Sequence, residues 1–319
     1  MIFLLLACAY TTAALPPHPT VADLPGVDAA EYPFAGHRRA VAGGEIHYVD
    51  EGEGSPVVFV HGTPSWSWEW RHSLAALRGA HRVIAPDLLG FGLSDKPADA
   101  DYTPAAQAGR LAELLDPLDL HGATVVVHDF GGPVGLDWVL DHPDRVSHLV
   151  IVNTWMWSLA EDRRAVRLSR LVAGPVGRYL YLQRNVSPRR LIPWSLGEGT
   201  EADAAFLAPY VNVFPSPEER HAPWRYGVEL AGSSAFYDGL WQRREVLRGL
   251  DVTVVWGMAD PTFGPDSLAR WKEALPAARV VELPGVGHFP QEEAPEAFLG
   301  ALRAAMAPTG GASPVVDPS

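Results

Sequence analysis

The stretch Val125-Val126-Val127-His128-Asp129-Phe130-Gly131-Gly132 decides how the rest of this chain is read. Three consecutive valines suit a strand buried on both faces. Gly131 and Gly132 then allow a tight turn and a close approach between the strand and a following helix. A strand that runs straight into a turn and a helix presents the turn residue, Asp129, at the edge of a sheet. An Asp in that place can cap the helix, or it can serve as a carboxylate nucleophile that forms an ester with carbon. Residues far away in the chain separate the two readings.

Working outward, short β-branched runs recur at residues 46–49, 57–60, 82–85, 124–127, 149–152, 252–256 and 279–282. Each is bounded by Gly, Pro, Asp or His. Helical periodicity falls between them, at 66–77, 104–115, 133–141, 267–274 and 295–306. Strands alternating with helices predict an α/β fold with a mostly parallel sheet. Residues 159–240 break the alternation: they lack strand-like runs, are rich in Arg, Leu, Tyr, Trp and Pro, and predict short helices over 162–171, 176–183, 202–210 and 218–230. A helical, aromatic insertion in a sheet reads as a cap. The predicted organisation is an N-terminal extension (1–30), a first core segment (31–158), the cap (159–240), a second core segment (241–307) and a disordered tail (308–319).

Composition narrows the class. The chain has 319 residues, 47% apolar and 20% charged, which suffices for a sizeable core. It carries 25 Lys and Arg against 38 Asp and Glu, a net charge of −13 that disfavours nucleic acid as a partner. The single cysteine, Cys8, excludes an intramolecular disulfide. The first fifteen residues are apolar and then small, but no Lys or Arg precedes the apolar run, which is far short of a membrane span. The expectation is a cytoplasmic protein without an integral membrane span, monomeric or weakly dimeric; export through a short N-terminal signal is the alternative.

Two further stretches favour the nucleophile. Val254-Val255-Trp256-Gly257-Met258-Ala259-Asp260 places an Asp just past a predicted strand, and Pro284-Gly285-Val286-Gly287-His288-Phe289 places a His past the next one. Active groups of open parallel sheets gather beyond the carboxyl ends of strands. The chain order is nucleophile Asp129, acid Asp260, base His288, the order used by α/β-hydrolases. A fourth strand end, Phe59-Val60-His61-Gly62-Thr63-Pro64, supplies a turn whose Thr63 amide can pair with that of Phe130 as an oxyanion hole. His61 and His128 are read as structural.

These motifs, together with His61-Gly62-Thr63-Pro64-Ser65-Trp66-Ser67-Trp68-Glu69-Trp70-Arg71 and Ala85-Pro86-Asp87-Leu88-Leu89-Gly90-Phe91-Gly92-Leu93-Ser94-Asp95-Lys96-Pro97, resemble the haloalkane dehalogenase and epoxide hydrolase branch of the α/β-hydrolases, the dehalogenases more closely. The resemblance spans roughly residues 32–306 and is weakest across the cap. It implies an eight-stranded, mostly parallel sheet flanked by helices with a cap insertion. It also implies that Asp129 attacks a substrate carbon, that halide leaves, and that His288, oriented by Asp260, activates water to hydrolyse the ester. No cofactor or metal is needed, and the partners are a small apolar organic substrate and water.

The chain departs from the dehalogenase pattern where the halide is stabilised. The residue after Asp129 is Phe130, which has no N–H, and Thr63 stands where many relatives carry Asn. Replacement donors or pocket residues are sought in Thr63, Phe130, Asn153, Trp155, Trp157, Trp194 and Trp224. Epoxide hydrolysis is the alternative, with the same triad and acidic hydroxyls from Tyr179, Tyr181, Tyr210, Tyr226 or Tyr237. A related ester or lactone hydrolase and a non-catalytic receptor are the remaining readings.

Overall fold

The computed structural model describes residues 18–307. The expectations for the first seventeen residues, including Cys8 and an export signal, and for the tail at 308–319 lie outside the described residues. Eight strands form one sheet: β1 (Gly36–Val41), β2 (Gly44–Glu51), β3 (Pro56–Val60), β4 (Arg82–Pro86), β5 (Ala123–Asp129), β6 (Val146–Thr154), β7 (Asp251–Gly257) and β8 (Arg279–Leu283). Their order is β1-β2-β4-β3-β5-β6-β7-β8. Pairs β1/β2 and β2/β4 are antiparallel and all the others parallel.

The burial of the strands explains which of them the sequence displays. Every residue of β3 and β5 is buried; β3 is apolar throughout and β5 is centred on the apolar run Val125–Val127. β1 escapes the sequence reading because Gly-His-Arg-Arg-Ala-Val is a half-exposed edge with no apolar run. Its register from Gly36↔Val49 to Val41↔Gly44 is set by a tight turn through Gly43, at φ +91°.

Around the sheet lie α1 (Arg71–Leu77), α2 (Pro104–Leu115) and α3 (Gly131–Asp141), and after β7 come α10 (Pro265–Ala274), α11 (Pro290–Glu293) and α12 (Pro295–Met306). Between β6 and β7 the chain forms α4 (Arg163–Ala173), α5 (Pro175–Arg184), α6 (Ile192–Ser195), α7 (Ala204–Asn212), α8 (His221–Gly232) and α9 (Ser234–Gln242). The sequence does not predict α9, where Gly and Ser interrupt the apolar pattern. It returns the chain to the core, and Arg243 at its end pairs with Asp141 of α3. The helix expected over 66–77 divides in two. Trp66, Trp68 and Trp70 are all buried at every second position, a spacing that an α-helix cannot turn to one side. A 3₁₀ turn at Ser67–Trp70 accommodates them, with the Ser67 amide 2.8 Å from Asp87 Oδ1. Residues of the N-terminal segment also pack: Val21 and Leu24 are buried, and Asn212 Nδ2 donates to the Pro25 carbonyl at 2.6 Å.

The strand order reverses at β3: β4 is added on one side of it and β5 on the other. The carboxyl ends of β3 and β5 open a crevice holding His61-Gly62-Thr63 on one side and Asp129 on the other. The start of α3 meets the end of β3 so closely that a β-carbon on Gly131 would run into the Val60 and His61 carbonyl oxygens. We expect Gly131→Ala to lower stability by at least about 2 kcal/mol through overpacking. Gly239→Ala, on the exposed side of α9 with nothing within 4 Å of the new methyl, should raise it by roughly 0.5 to 1 kcal/mol. Urea unfolding of both variants checks the pair.

Candidate active site

β5 delivers Asp129 in the left-handed region, at φ +50°. This conformation is rare for a residue with a side chain and costs of order 1 kcal/mol or more. Several contacts hold it there: Thr154 Oγ1 donates to the Asp129 carbonyl, and the Thr63 amide donates to Asp129 Oδ1 at 2.8 Å. The other carboxylate oxygen, Oδ2, faces His288 Nε2 at 3.4 Å. His288 Nδ1 in turn lies 2.7 Å from Asp260 Oδ2. The three side chains brought together are the three that the sequence nominates, and all are buried.

Asp260 is anchored by a residue assigned elsewhere. Asn153 Nδ2 donates to Asp260 Oδ2 at 2.9 Å and to the Gly257 carbonyl at 3.1 Å, while its Oδ1 accepts from the Gly257 amide at 2.8 Å. The Thr262 amide meets Asp260 Oδ1 at 2.7 Å. Burial favours protonated Asp260, but the facing His288 and these donors outweigh it and keep the carboxyl below its ordinary range. For His288 the balance runs the other way. Burial favours the neutral ring, yet Asp260 and Asp129 on its two nitrogens raise its pKa well above the usual imidazole value.

Sequence reasoning reads His128 as structural but misses its partners and the other supports beneath this triad. His128 Nε2 donates to the His288 carbonyl at 2.8 Å, and its Nδ1 lies 3.2 Å from both Glu69 Oε1 and Gln291 Nε2. Glu293 accepts from the Gly287 and Phe289 amides at 3.0 Å each and from the Gly197 amide at 2.6 Å, tying the base loop to the inserted helices. Buried Glu69 within an aromatic run was the available signal. His61 is structural, as expected: Nδ1 bonds the Gly62 carbonyl at 2.7 Å and Nε2 accepts from the Leu88 amide at 2.9 Å.

Above Asp129 and His288 lies an open cavity of about 270 Å³. Phe130, Val172, Leu180, Ile192 and Phe263 make most of its wall apolar, with Tyr181 among the polar contributors.

A family model described as the alpha/beta hydrolase fold matches residues 55–295. The chain belongs to the α/β-hydrolase family. Within it, the relatives place it in the haloalkane dehalogenase-like branch. It is 34% identical over 275 residues to haloalkane dehalogenase 2 of Mycobacterium tuberculosis, covering 85% of this chain and 94% of that one. It is also 30% identical to a cis-3-alkyl-4-alkyloxetan-2-one decarboxylase of Shewanella oneidensis, over 90% of this chain and 93% of that one. Among solved structures, haloalkane dehalogenase DatA of Agrobacterium tumefaciens C58 superposes with TM-score 0.75 at 28% identity, covering 87% of this chain and 98% of DatA.

This α/β-hydrolase does not use every residue nominated for its pocket. Thr63, Phe130 and Trp194 line the cavity. Asn153 does not, because both ends of its amide are committed to Asp260 and Gly257. Trp155 lies behind the wall, edge-on to Phe130 at 4.8 Å and stacked on Phe263 at 4.9 Å; its indole nitrogen is buried without a partner. Trp157 packs away from the cavity against Trp241, Trp271 and the Arg270 guanidinium. Trp224 donates its indole N–H to the Val172 carbonyl at 3.0 Å and stacks under Arg178. Of the five tyrosines, only Tyr181 lines the cavity, its hydroxyl pushed up to about 12 by burial. Tyr210 donates to Glu292 and Tyr237 to the Glu229 carbonyl, Tyr179 is exposed, and Tyr226 lies stacked on Phe130 at 4.4 Å.

Among the described residues no group of three or more His, Cys, Asp or Glu could hold a metal ion, and no helix is long and apolar enough to cross a membrane. The two carboxylates facing His288 predict an ordered response. Asp129→Asn should lower the His288 pKa, and Asp260→Asn should lower it further, since Asp260 contributes more to the upward shift. NMR titration of the ¹⁵N-labelled imidazole measures both, and an unchanged His288 in Asp260→Asn would contradict the assignment.

Proposed function

We propose that this hydrolase cleaves carbon–halogen bonds of apolar alkyl substrates through an ester on Asp129. The carrying observation is a carboxylate held in a left-handed turn, 3.4 Å from an Asp-paired imidazole, beneath an apolar cavity. In the first step Asp129 Oδ2 attacks the substrate carbon from the side opposite the halogen. The carbon–oxygen bond forms as the carbon–halogen bond breaks, and the halide takes the electron pair. Esterification removes the Asp129 charge, so one of the two groups that favour protonated His288 is lost and the ring releases its Nε2 proton to solvent. His288 Nε2 then accepts a proton from water, and the hydroxide attacks the ester carbonyl of Asp129. The Thr63 and Phe130 amides hold the resulting oxyanion, and the alcohol leaves.

Leaving-group stabilisation falls to Thr63. Its Oγ1 is buried, has no partner and belongs to a residue lining the cavity. A buried hydroxyl in that state gains most from an incoming anion. Epoxide opening finds one of the five candidate tyrosines, Tyr181, at the cavity rather than a pair.

A second reading is favoured by the missing indole N–H at Phe130 and by the oxetanone-decarboxylating relative. Opening a four-membered lactone at its alkyl carbon relieves ring strain and leaves a carboxylate attached to the substrate. That anion makes less demand on dedicated donors than a free halide does.

Both readings pass through an ester at Asp129. In His288→Phe the ester should accumulate, with turnover reduced on the order of 10² to 10⁴-fold. Incubation with 1-bromohexane, an aryl epoxide and a cis-3,4-dialkyl oxetan-2-one, followed by intact mass and peptide mapping, identifies which substrate modifies Asp129. An adduct from the bromide supports dehalogenation, and one from the oxetanone alone transfers the assignment to the lactone. No adduct, with no halide, diol or carbon dioxide released by the parent enzyme, overturns both.

A further inference from the structure

Seven of the eight large apolar side chains exposed among the described residues fall between Leu168 and Trp194. Val176 is 65% exposed, Leu171 61% and Trp194 59%. Leu168, Leu171, Leu180, Leu191 and Trp194 also line the cavity above Asp129, so this surface is continuous with the mouth of the site. Val176 and Tyr179 extend it outward. A soluble surface rarely gathers its apolar exposure in this way, and a contiguous patch of this kind marks an interaction site.

The same segment carries the chain's main concentration of positive charge. Residues 163–197 contain eight arginines and no Asp or Glu, leaving 17 Lys and Arg against 38 Asp and Glu in the remainder. All eight arginines are exposed, and among the described residues none of them forms a salt bridge. Arg167 and Arg170 sit on α4 beside Leu168 and Leu171, interleaving cation and hydrocarbon on one helix.

We propose that this face docks on an anionic phospholipid bilayer, with the cavity mouth turned toward the lipid. The chemistry matches on three counts. Arginines reach the phosphate layer while their stems lie along hydrocarbon. Trp194 and Tyr179 have the amphipathic rings favoured at the membrane–water interface. The leucines and Val176 enter the headgroup–acyl boundary, as on surface-lying helices. A second copy of the chain is a poor occupant, since it would set two unpaired arginine clusters face to face. Residues 1–17 carry no charged side chain and would leave the arginines unanswered. On this arrangement a water-insoluble substrate enters the cavity from the bilayer; that consequence rests on the reaction proposed for Asp129, but the docking itself does not.

The test is sedimentation of the full chain with vesicles of phosphatidylcholine alone and with about 30 mole per cent phosphatidylglycerol. Binding should require phosphatidylglycerol and weaken when salt rises from about 0.1 to about 0.5 M. Arg167→Glu with Arg170→Glu should reduce partitioning roughly 25-fold or more. Val176→Ser with Tyr179→Ser, which spares the cavity lining, should weaken it several-fold. Both double variants should keep the parent's circular dichroism and melting point, which separates docking from misfolding. Asp129→Asn should bind vesicles like the parent, so the docking result stands whatever the chemistry proves to be. Equal binding to both vesicle types, undiminished binding by the charge-reversed variant, or binding abolished by deleting residues 1–17 overturns the proposal. Dimerisation lost in Val176→Ser with Tyr179→Ser, without vesicle binding in the parent, also overturns it and assigns the patch to a second copy.

Discussion

The close approach of α3 to the end of β3 is the constraint on which the rest of the site depends. Gly131 brings the first turn of α3 against the backbone at the end of β3, and Asp129 is thereby held with φ at +50°. An aspartate would not choose that conformation, so packing on either side must impose it. The result is a side chain standing clear of the sheet with one oxygen on the Thr63 amide and the other toward His288. A relaxed turn at this point would separate the carboxylate from both. Backbone pairing of β5 with β3 and β6 fixes the spacing of their carboxyl ends, and the buried valines hold that sheet in the core.

Charge balance is the second layer. His288 has a carboxylate facing each ring nitrogen in a place that water barely reaches. Isolated burial would make the ring neutral and Asp260 a protonated acid; facing one another they hold charge instead. The balance changes with the reaction coordinate, because an ester at Asp129 carries no charge. In the proposed reaction the imidazole then gives up its proton more readily and is free to accept one from water. Asn153 and Glu293 act at one remove: Asn153 turns Asp260 toward the imidazole, and Glu293 fastens the loop that bears it.

The polarity of the molecule is uneven in a way that its net charge conceals. A chain at −13 offers a face of unpaired arginines and exposed leucines around the entrance to its cavity. Asp129 and His288 sit at the foot of that entrance. The apolar wall of the cavity and the apolar exposure outside it form one surface.

Much of this was legible in the residues. Asp129, Asp260 and His288 stood at the ends of apolar runs, and a fully buried strand must be such a run, so pattern alone located both the sheet and the positions of its carboxyl ends. β1 was invisible for the opposite reason, since a half-exposed edge strand is held by backbone pairing with β2 rather than by its side chains. The tryptophans marked the limit of the method. Sequence supplies an indole but not its surroundings: Trp224 donates to a carbonyl, Trp157 packs among aromatic neighbours, and Trp194 lines the cavity. Local sequence, then, determined most of the element order and the strand-end places of Asp129, Asp260 and His288, because burial and turn chemistry act over a few residues. Only the tertiary structure decided which side chains share the cavity with them, because the inserted helices are placed by contacts between residues far apart in the chain.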